Sequence, residues 1–236
     1  MISVLLAAHC GEDYIAAQIA SILPQLEEHN ELLVSDDSPE NHTATREIVL
    51  SFNDPRVKYI QGPRQGVVKN FEFLLGQARG DILVLSDQDD VWLPGKLARA
   101  RELLSNAEPG LLMHDAHITD EHLHKTGRTL FGSRAAKPGL WRNLVRNSYT
   151  GCCMAFTKAL LPHILPFPAG IPMHDQWIGL RAERVGAVRF WDEPLLLWRR
   201  HGATQTGKPS SLKQKLVWRV AMVRALIRTA VKGDCQ

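Results

Sequence analysis

Short apolar runs alternate with stretches of helical spacing through the first half of the chain. Residues 2–8 form a continuous apolar run, short enough for a strand buried on both faces. Over residues 12–28, Tyr14, Ile15, Ile19, Ile22, Leu23 and Leu26 fall on one broad face, which predicts a helix. The alternation continues with strands over 31–35, 57–61, 81–86 and 111–114, and helices over 43–52, 67–78 and 94–104. Gly80 breaks the chain before one strand, and Pro94 sits early in its helix, where a missing N–H is harmless. Strands separated by helices imply right-handed crossovers and an α/β fold, a mostly parallel sheet flanked by helices. Residues 119–147 have weak periodicity and read as a long loop region with short helices. Beyond them the pattern predicts a strand (152–157), helices (158–165, 174–185), strands (188–191, 194–199), a linker (201–211) and a last helix (212–232).

Composition changes this picture little. Of 236 residues, 44% are apolar and 22% charged, which fits a globular chain and argues against wholesale disorder. The net charge of +3 conceals a split: from Arg199 onward the chain carries +8, and everything before it −5. An acidic body with a basic tail is expected to meet something anionic. The four cysteines have no metal-like spacing and read as free thiols of a reducing cytosol. No uncharged apolar run reaches the length of a membrane span, and the N-terminus lacks the pattern of a signal peptide.

In an open parallel sheet, ligands bind outside the carboxyl ends of the strands. Polar residues gather at those predicted ends: His9-Cys10, Asp36-Asp37, Asp87-Gln88-Asp89-Asp90 and His114-Asp115. Three carboxylates within four residues repel one another, and a divalent cation among them relieves the repulsion. Carboxylates without thiolates suit a hard cation, Mg²⁺ or Mn²⁺, which usually completes its shell with substrate phosphates. Neither a P-loop nor a Gly-x-Gly-x-x-Gly turn is present, so the phosphate partner is metal plus scattered side chains.

An ordered set of pieces carries a resemblance. It comprises Val4 to Ala8 with Glu12 and Tyr14, Ser35-Asp36-Asp37-Ser38, Gly66 through Glu72, Gly80-Asp81, Ser86 through Trp92, His174 through Trp177, and Trp198-Arg199-Arg200-His201. The chain thereby resembles a family 2 glycosyltransferase with the GT-A fold, of the bacterial rhamnosyltransferase-like group. The resemblance implies a GT-A domain over 1–205, with a nucleotide-sugar half (1–115) and an acceptor half (116–205). Residues 206–236 remain as a linker and basic amphipathic helix. It implies nucleotide contacts from Ala7, Ala8, Glu12, Asp36, Asp37, Lys69, Asn70, Asp87 and Gln88. It implies metal contacts from Asp89, Asp87 and His201, Asp175 as catalytic base, and an acceptor wall from Trp177 and His174. Two departures bear on the choice of base: His9-Cys10 stand where the family usually has Tyr-Asn, and Lys69 replaces a more usual Arg.

The implied reaction is an inverting, metal-dependent transfer of a sugar from a dTDP-, UDP- or GDP-sugar, and the resemblance to the rhamnosyltransferase-like group implies rhamnose. The acceptor is a glycan or lipid-linked molecule of cell-surface polysaccharide synthesis. Such a transfer needs a carboxylate to take the acceptor's proton and a Lewis acid on the leaving diphosphate. A nucleotidyltransferase would ordinarily carry a basic Gly-rich loop after the first strand, and Ala8-His9-Cys10-Gly11 has one glycine and neither Lys nor Arg. A non-catalytic sugar-nucleotide-binding module would tolerate substitution of Asp175 and His201. In the tail, Leu212, Leu216, Val220, Val223, Ile227 and Ala230 make an apolar stripe flanked by Lys and Arg. This fits a helix lying on anionic lipid, peripheral at the inner face of the plasma membrane. Packing on the body or in a homodimer is the competing seat, and no motif supports nucleic acid.

Overall fold

The computed structural model describes residues 1–104, 108–202 and 211–233. In chain order its elements are β1 (Ile2–Ala8), α1 (Ile15–Ile22), β2 (Glu31–Asp36), α2 (Ala44–Ser51), β3 (Val57–Gln61) and α3 (Val67–Gln77). Then come β4 (Ile82–Asp87), β5 (Val91–Trp92), α4 (Lys96–Leu103), β6 (Gly110–Thr119), β7 (Lys125–Thr129), α5 (Leu130–Arg134) and α6 (Leu140–Val145). The last are β8 (Met154–Thr157), α7 (Leu161–Ile164), α8 (His174–Val185), β9 (Ala187–Arg199) and α9 (Leu212–Gly233).

Among the described residues the strands form one sheet in the order β3-β2-β1-β4-β8-β6-β9-β5, with β7 added beside β6. Strands β1 to β4 are mutually parallel. β8 enters antiparallel between β4 and β6, so β6 and its parallel neighbour β9 run in the same sense as β1 to β4. The mostly parallel α/β expectation therefore holds, with β5, β7 and β8 as the reversed strands. Val4, Leu5, Leu6, Val34 and Leu85 have no exposed surface. Burying each such side chain stabilises the fold by about 1.5–3 kcal/mol.

Some expected elements change. The helix read over 12–28 is shorter, giving way to a 3₁₀ turn at Leu23–Gln25, where Pro24 removes an N–H. The two strands read over 188–191 and 194–199 are one strand, β9, with register shifts opposite His114 and Asp115. Pro194 lies at that irregularity, a place in a sheet that tolerates proline. His114 and Asp115, expected at a strand end, sit mid-strand in β6 and are buried, because β6 runs on to Thr119. The basic tail also divides. Arg199 ends β9 inside the body, whereas α9 packs on α6 and α8 through Met222, Ala225 and Leu226. Most of the linker read over 201–211 lies outside the described residues.

Candidate active site

The carboxyl ends of β1, β2, β4 and β9 meet on one edge of the sheet. Asp87 ends β4 and the turn after it carries Gln88, Asp89 and Asp90; Asp89 Oδ2 lies 2.8 Å from His201 Nε2. The two residues are 112 positions apart. The His201 ring packs on Tyr14 with centroids 4.6 Å apart. Arg199 staples the acidic turn to β9: its backbone N–H donates to Asp90 Oδ1 (3.0 Å) and its Nε to the Asp89 carbonyl (2.8 Å). Its guanidinium also lies 4.9 Å over the Tyr14 ring.

Behind this pair, Asp87, Asp90 and Cys152 each offer one ligand-type atom, all within 4.8 Å of one another. Asp90 is buried and its Oδ2 has no hydrogen-bond partner. Burial, with the neighbouring charge of Asp89, pushes Asp87 up to about 7 and Asp90 well above the usual carboxylate range. Lys96 is buried beside them, donating to the Cys152 carbonyl (2.6 Å) and lying 4.1 Å over the Trp92 ring. Lys96 offsets part of this crowded negative charge, and the orphaned Asp90 oxygen fits a further cation nearby. Oxygen donors with one imidazole suit Mg²⁺ or Mn²⁺; the soft, fully buried Cys152 thiol does not enter that preference.

Asp175 lies in the first turn of α8, a position where a carboxylate faces the positive end of the helix. Its Oδ1 accepts the Gln176 N–H at 2.6 Å, and the Gly151 N–H also serves the carboxylate. Glycine at 151 leaves room for the His174 ring: a Cβ there would lie 2.9 Å from His174 Nε2. Burial pushes Asp175 up to about 6 against the opposing hydrogen bonds and the positive charge of Arg134. Asp87 feels the charge of Asp175, so base candidate and acidic turn face one region. Arg134 donates to Thr150 Oγ1 (2.8 Å), and its guanidinium lies 5.3 Å from the Trp198 ring; that of Arg200 lies 4.7 Å from the same ring. Arg134 and Arg200 repel, and Asp89 and Asp90 attract Arg200. Two guanidinium groups thus stand between the acidic turn and the Asp175 end, suited to negative charge that builds on a leaving diphosphate.

The other expected site residues are placed as follows. Ala7 and Ala8 end β1, Ala7 in register with Asp87 and Ala8 with Asp36. Gln88 accepts the His9 N–H (2.8 Å) and donates to the His9 carbonyl (3.1 Å), so its amide shapes the first loop. Glu12 pairs with His42 at 2.9 Å and tethers the same loop to the start of α2. Asp37 accepts the N–H groups of Arg64 (2.5 Å) and Gly66 (2.8 Å), fixing the β3–α3 loop. Lys69 pairs with Glu72 on the surface of α3.

Four expectations need correction. Asp36 is buried, with its carboxylate committed to Ser38 and Tyr59, so it organises the turn and presents no face to a nucleoside. Asn70 is buried with both ends of its amide on Ser35. Trp177 has no exposed surface, and its indole N–H donates to the Ile164 carbonyl at 2.9 Å. It is a core residue, unable to wall an acceptor. His174 is buried and stacked on Phe71 at 4.1 Å, and burial pushes it down to about 3, so it is a neutral packing residue. Sequence reasoning missed Arg134, Lys96 and Cys152. Arg134 lies in a segment of weak periodicity; Cys152 becomes visible only when β8 inserts beside β4.

The sequence model of glycosyl transferase family 2 matches residues 3–165, more than half of the chain. With the sheet order and site edge above, the chain belongs to glycosyl transferase family 2. It is 25% identical over 170 residues to the Escherichia coli UDP-Glc:alpha-D-GlcNAc-diphosphoundecaprenol beta-1,3-glucosyltransferase WfgD, covering 71% of this chain and 64% of that one. It is 23% identical over 221 residues to an uncharacterised glycosyltransferase of Haemophilus influenzae, covering 86% and 66% respectively. Among solved structures, S. aureus TarS (residues 1–349) with UDP-GlcNAc superposes with a TM-score of 0.71 at 19% identity, over 89% of this chain and 61% of that one. Glucosyl-3-phosphoglycerate synthase of Mycobacterium tuberculosis, with Mn²⁺, UDP and glucosyl-3-phosphoglycerate, gives 0.59 at 21% identity, over 97% and 79%. The chain thus spans less than two thirds of the length of the first of these relatives.

Proposed function

We propose that this protein transfers a sugar from a nucleotide diphosphate donor to a hydroxyl of a glycan or lipid-linked acceptor, with inversion. The observation that carries the reading is the Asp89–His201 pair at the sheet edge, facing the region where Asp175 opens α8. Asp89, Asp87 and His201 would hold Mg²⁺ or Mn²⁺, whose contribution when bound is Lewis-acid neutralisation of the leaving diphosphate. Asp175 takes the proton of the acceptor hydroxyl as the new glycosidic bond forms and the donor's anomeric carbon–oxygen bond breaks. Arg134 and Arg200 stabilise the negative charge released on the nucleotide. Asp37 and the loops held by Gln88 and Glu12 shape the nucleoside pocket, with Lys69 at its outer edge. The glucosyltransferase relative and the UDP-bound fold neighbours favour a UDP-sugar. The 86–92 motif favours dTDP-rhamnose as the second reading. The relative's diphosphoundecaprenol acceptor favours a lipid-linked acceptor, met at the inner face of the plasma membrane.

A thermal-shift panel of UDP-, GDP- and dTDP-sugars with and without Mn²⁺ tests donor and metal together. The right donor at about 100 times its Kd stabilises the fold by about 2.7 kcal/mol, and only when Mn²⁺ is present. A panel with no metal-dependent shift would sink the reading. Activity should also fall as pH drops through about 6, because a protonated Asp175 accepts no proton. Arg134→Leu removes a charge that favours ionised Asp175, so the acid limb of kcat against pH should move upward. An unmoved limb in that variant would separate Arg134 from the base.

A further inference from the structure

With α9 seated on the body, most of its apolar stripe remains on the outside. Met222, Ala225 and Leu226 face inward, and the opposite arc carries Leu216 (60% exposed), Val220, Val223 and Ile227 (58%). At 100° per residue these four span a narrow arc, with Lys213, Arg224 and Arg228 along one margin and Lys215 and Arg219 along the other. Arg219 donates to the Val145 carbonyl at 2.8 Å, which brings the end of α6 to that margin. There α6 adds two more exposed apolar side chains one turn apart, Trp141 (77%) and Val145 (62%), with Arg142 and Arg146 exposed beside them. Neither helix contains an acidic residue. No helix among the described residues is long and apolar enough to cross a membrane.

We propose that α6 and the outer face of α9 together form a docking surface for an anionic phospholipid bilayer. Aliphatic side chains enter the interface, Trp141 lies at headgroup depth, and the basic margins meet lipid phosphates. Charge decides this occupant over a second copy of the chain. Mating two such faces would set their basic margins against each other without a single acid from either helix to offset them, whereas an anionic bilayer neutralises every one. The surface also reaches the candidate site: the Asn143 carbonyl, between Trp141 and Val145 in α6, accepts from Gln176 Nε2 at 2.8 Å, next to Asp175. Docking therefore sets the acceptor half against the bilayer. This deepens the lipid-linked reading above and rests on it only for the acceptor.

The test is sedimentation of the full chain with phosphatidylcholine vesicles and with vesicles containing about one third phosphatidylglycerol. Binding should be roughly tenfold or more tighter to the anionic vesicles and should weaken as salt rises. The R224Q/R228Q variant, which leaves the apolar arc intact, should lose that preference. The W141A variant and the L216S/I227S variant should lose binding to both vesicle types while keeping the wild-type thermal midpoint. Absence of sedimentation, or sedimentation unchanged in both double variants, overturns the proposal. A stable dimer in light scattering that L216S/I227S converts to monomer also overturns it, by assigning the face to a second copy. Donor turnover measured alongside with a soluble acceptor keeps this outcome separate from the glycosyl-transfer reading, since none of these residues lies in the site.

Discussion

Asp175→Asn should lower sugar transfer by roughly 10²- to 10⁴-fold while leaving donor affinity within a few-fold of wild type. The substitution is nearly isosteric. An amide oxygen can still accept the Gln176 N–H that the carboxylate accepts at 2.6 Å, so the start of α8 should keep its geometry. What disappears is the ability to take a proton. The burial that pushes this carboxyl to about 6 suits it to the proposed base role better than a solvated surface aspartate. The measurement is a pair of titrations: donor binding by calorimetry with Mn²⁺, and product formation at saturating donor. Transfer within a few-fold of wild type would assign proton abstraction to another group. Loss of donor binding would show that Asp175 serves the donor.

Asp89→Ala should weaken Mn²⁺-dependent donor binding by about 100-fold or more, and His201→Ala should act in the same direction. The stronger expectation concerns the combination. Both side chains meet at 2.8 Å and would serve one ion, so their effects should not add: the double variant should be little worse than Asp89→Ala alone. Donor affinity measured without metal should be nearly equal in all four proteins. Additive losses, or equal losses with and without Mn²⁺, would separate the pair from any cation.

Much of the fold and part of the site were legible in sequence, for physical reasons that differ by residue. The bounds of β1, β3 and α8 follow from apolar runs and a clean helical period, signals held within a few residues. The pairing of Asp89 with His201 came from motif order, since nothing local to either residue announces the other. Trp177 illustrates an avoidable error. It lies two positions after Asp175, about 200° around the helix, so a base facing the cleft turns that indole into the core. The burial of Asp36 and Asn70 was not legible: their partners Tyr59 and Ser35 lie 23 and 35 residues away. The tail charge was misapportioned for a similar reason. Arg199 counts as tail in a running sum but serves the acidic turn across 110 residues.

Arg199 and His201 reach the acidic turn from 110 and 112 residues away, so the turn gains these partners only once that distant segment exists. A polypeptide synthesised only as far as residue 165, the end of the family match, would already possess β1 to β4, β6 and all three acids of the turn, without β9. It would lack Asp175 and His201. On the roles proposed above, that polypeptide would gain its base with α8 and its imidazole only after β9. A cation bridging that turn to His201 would act as the latch, so metal supply would govern how firmly the finished chain stays shut as well as how fast it works.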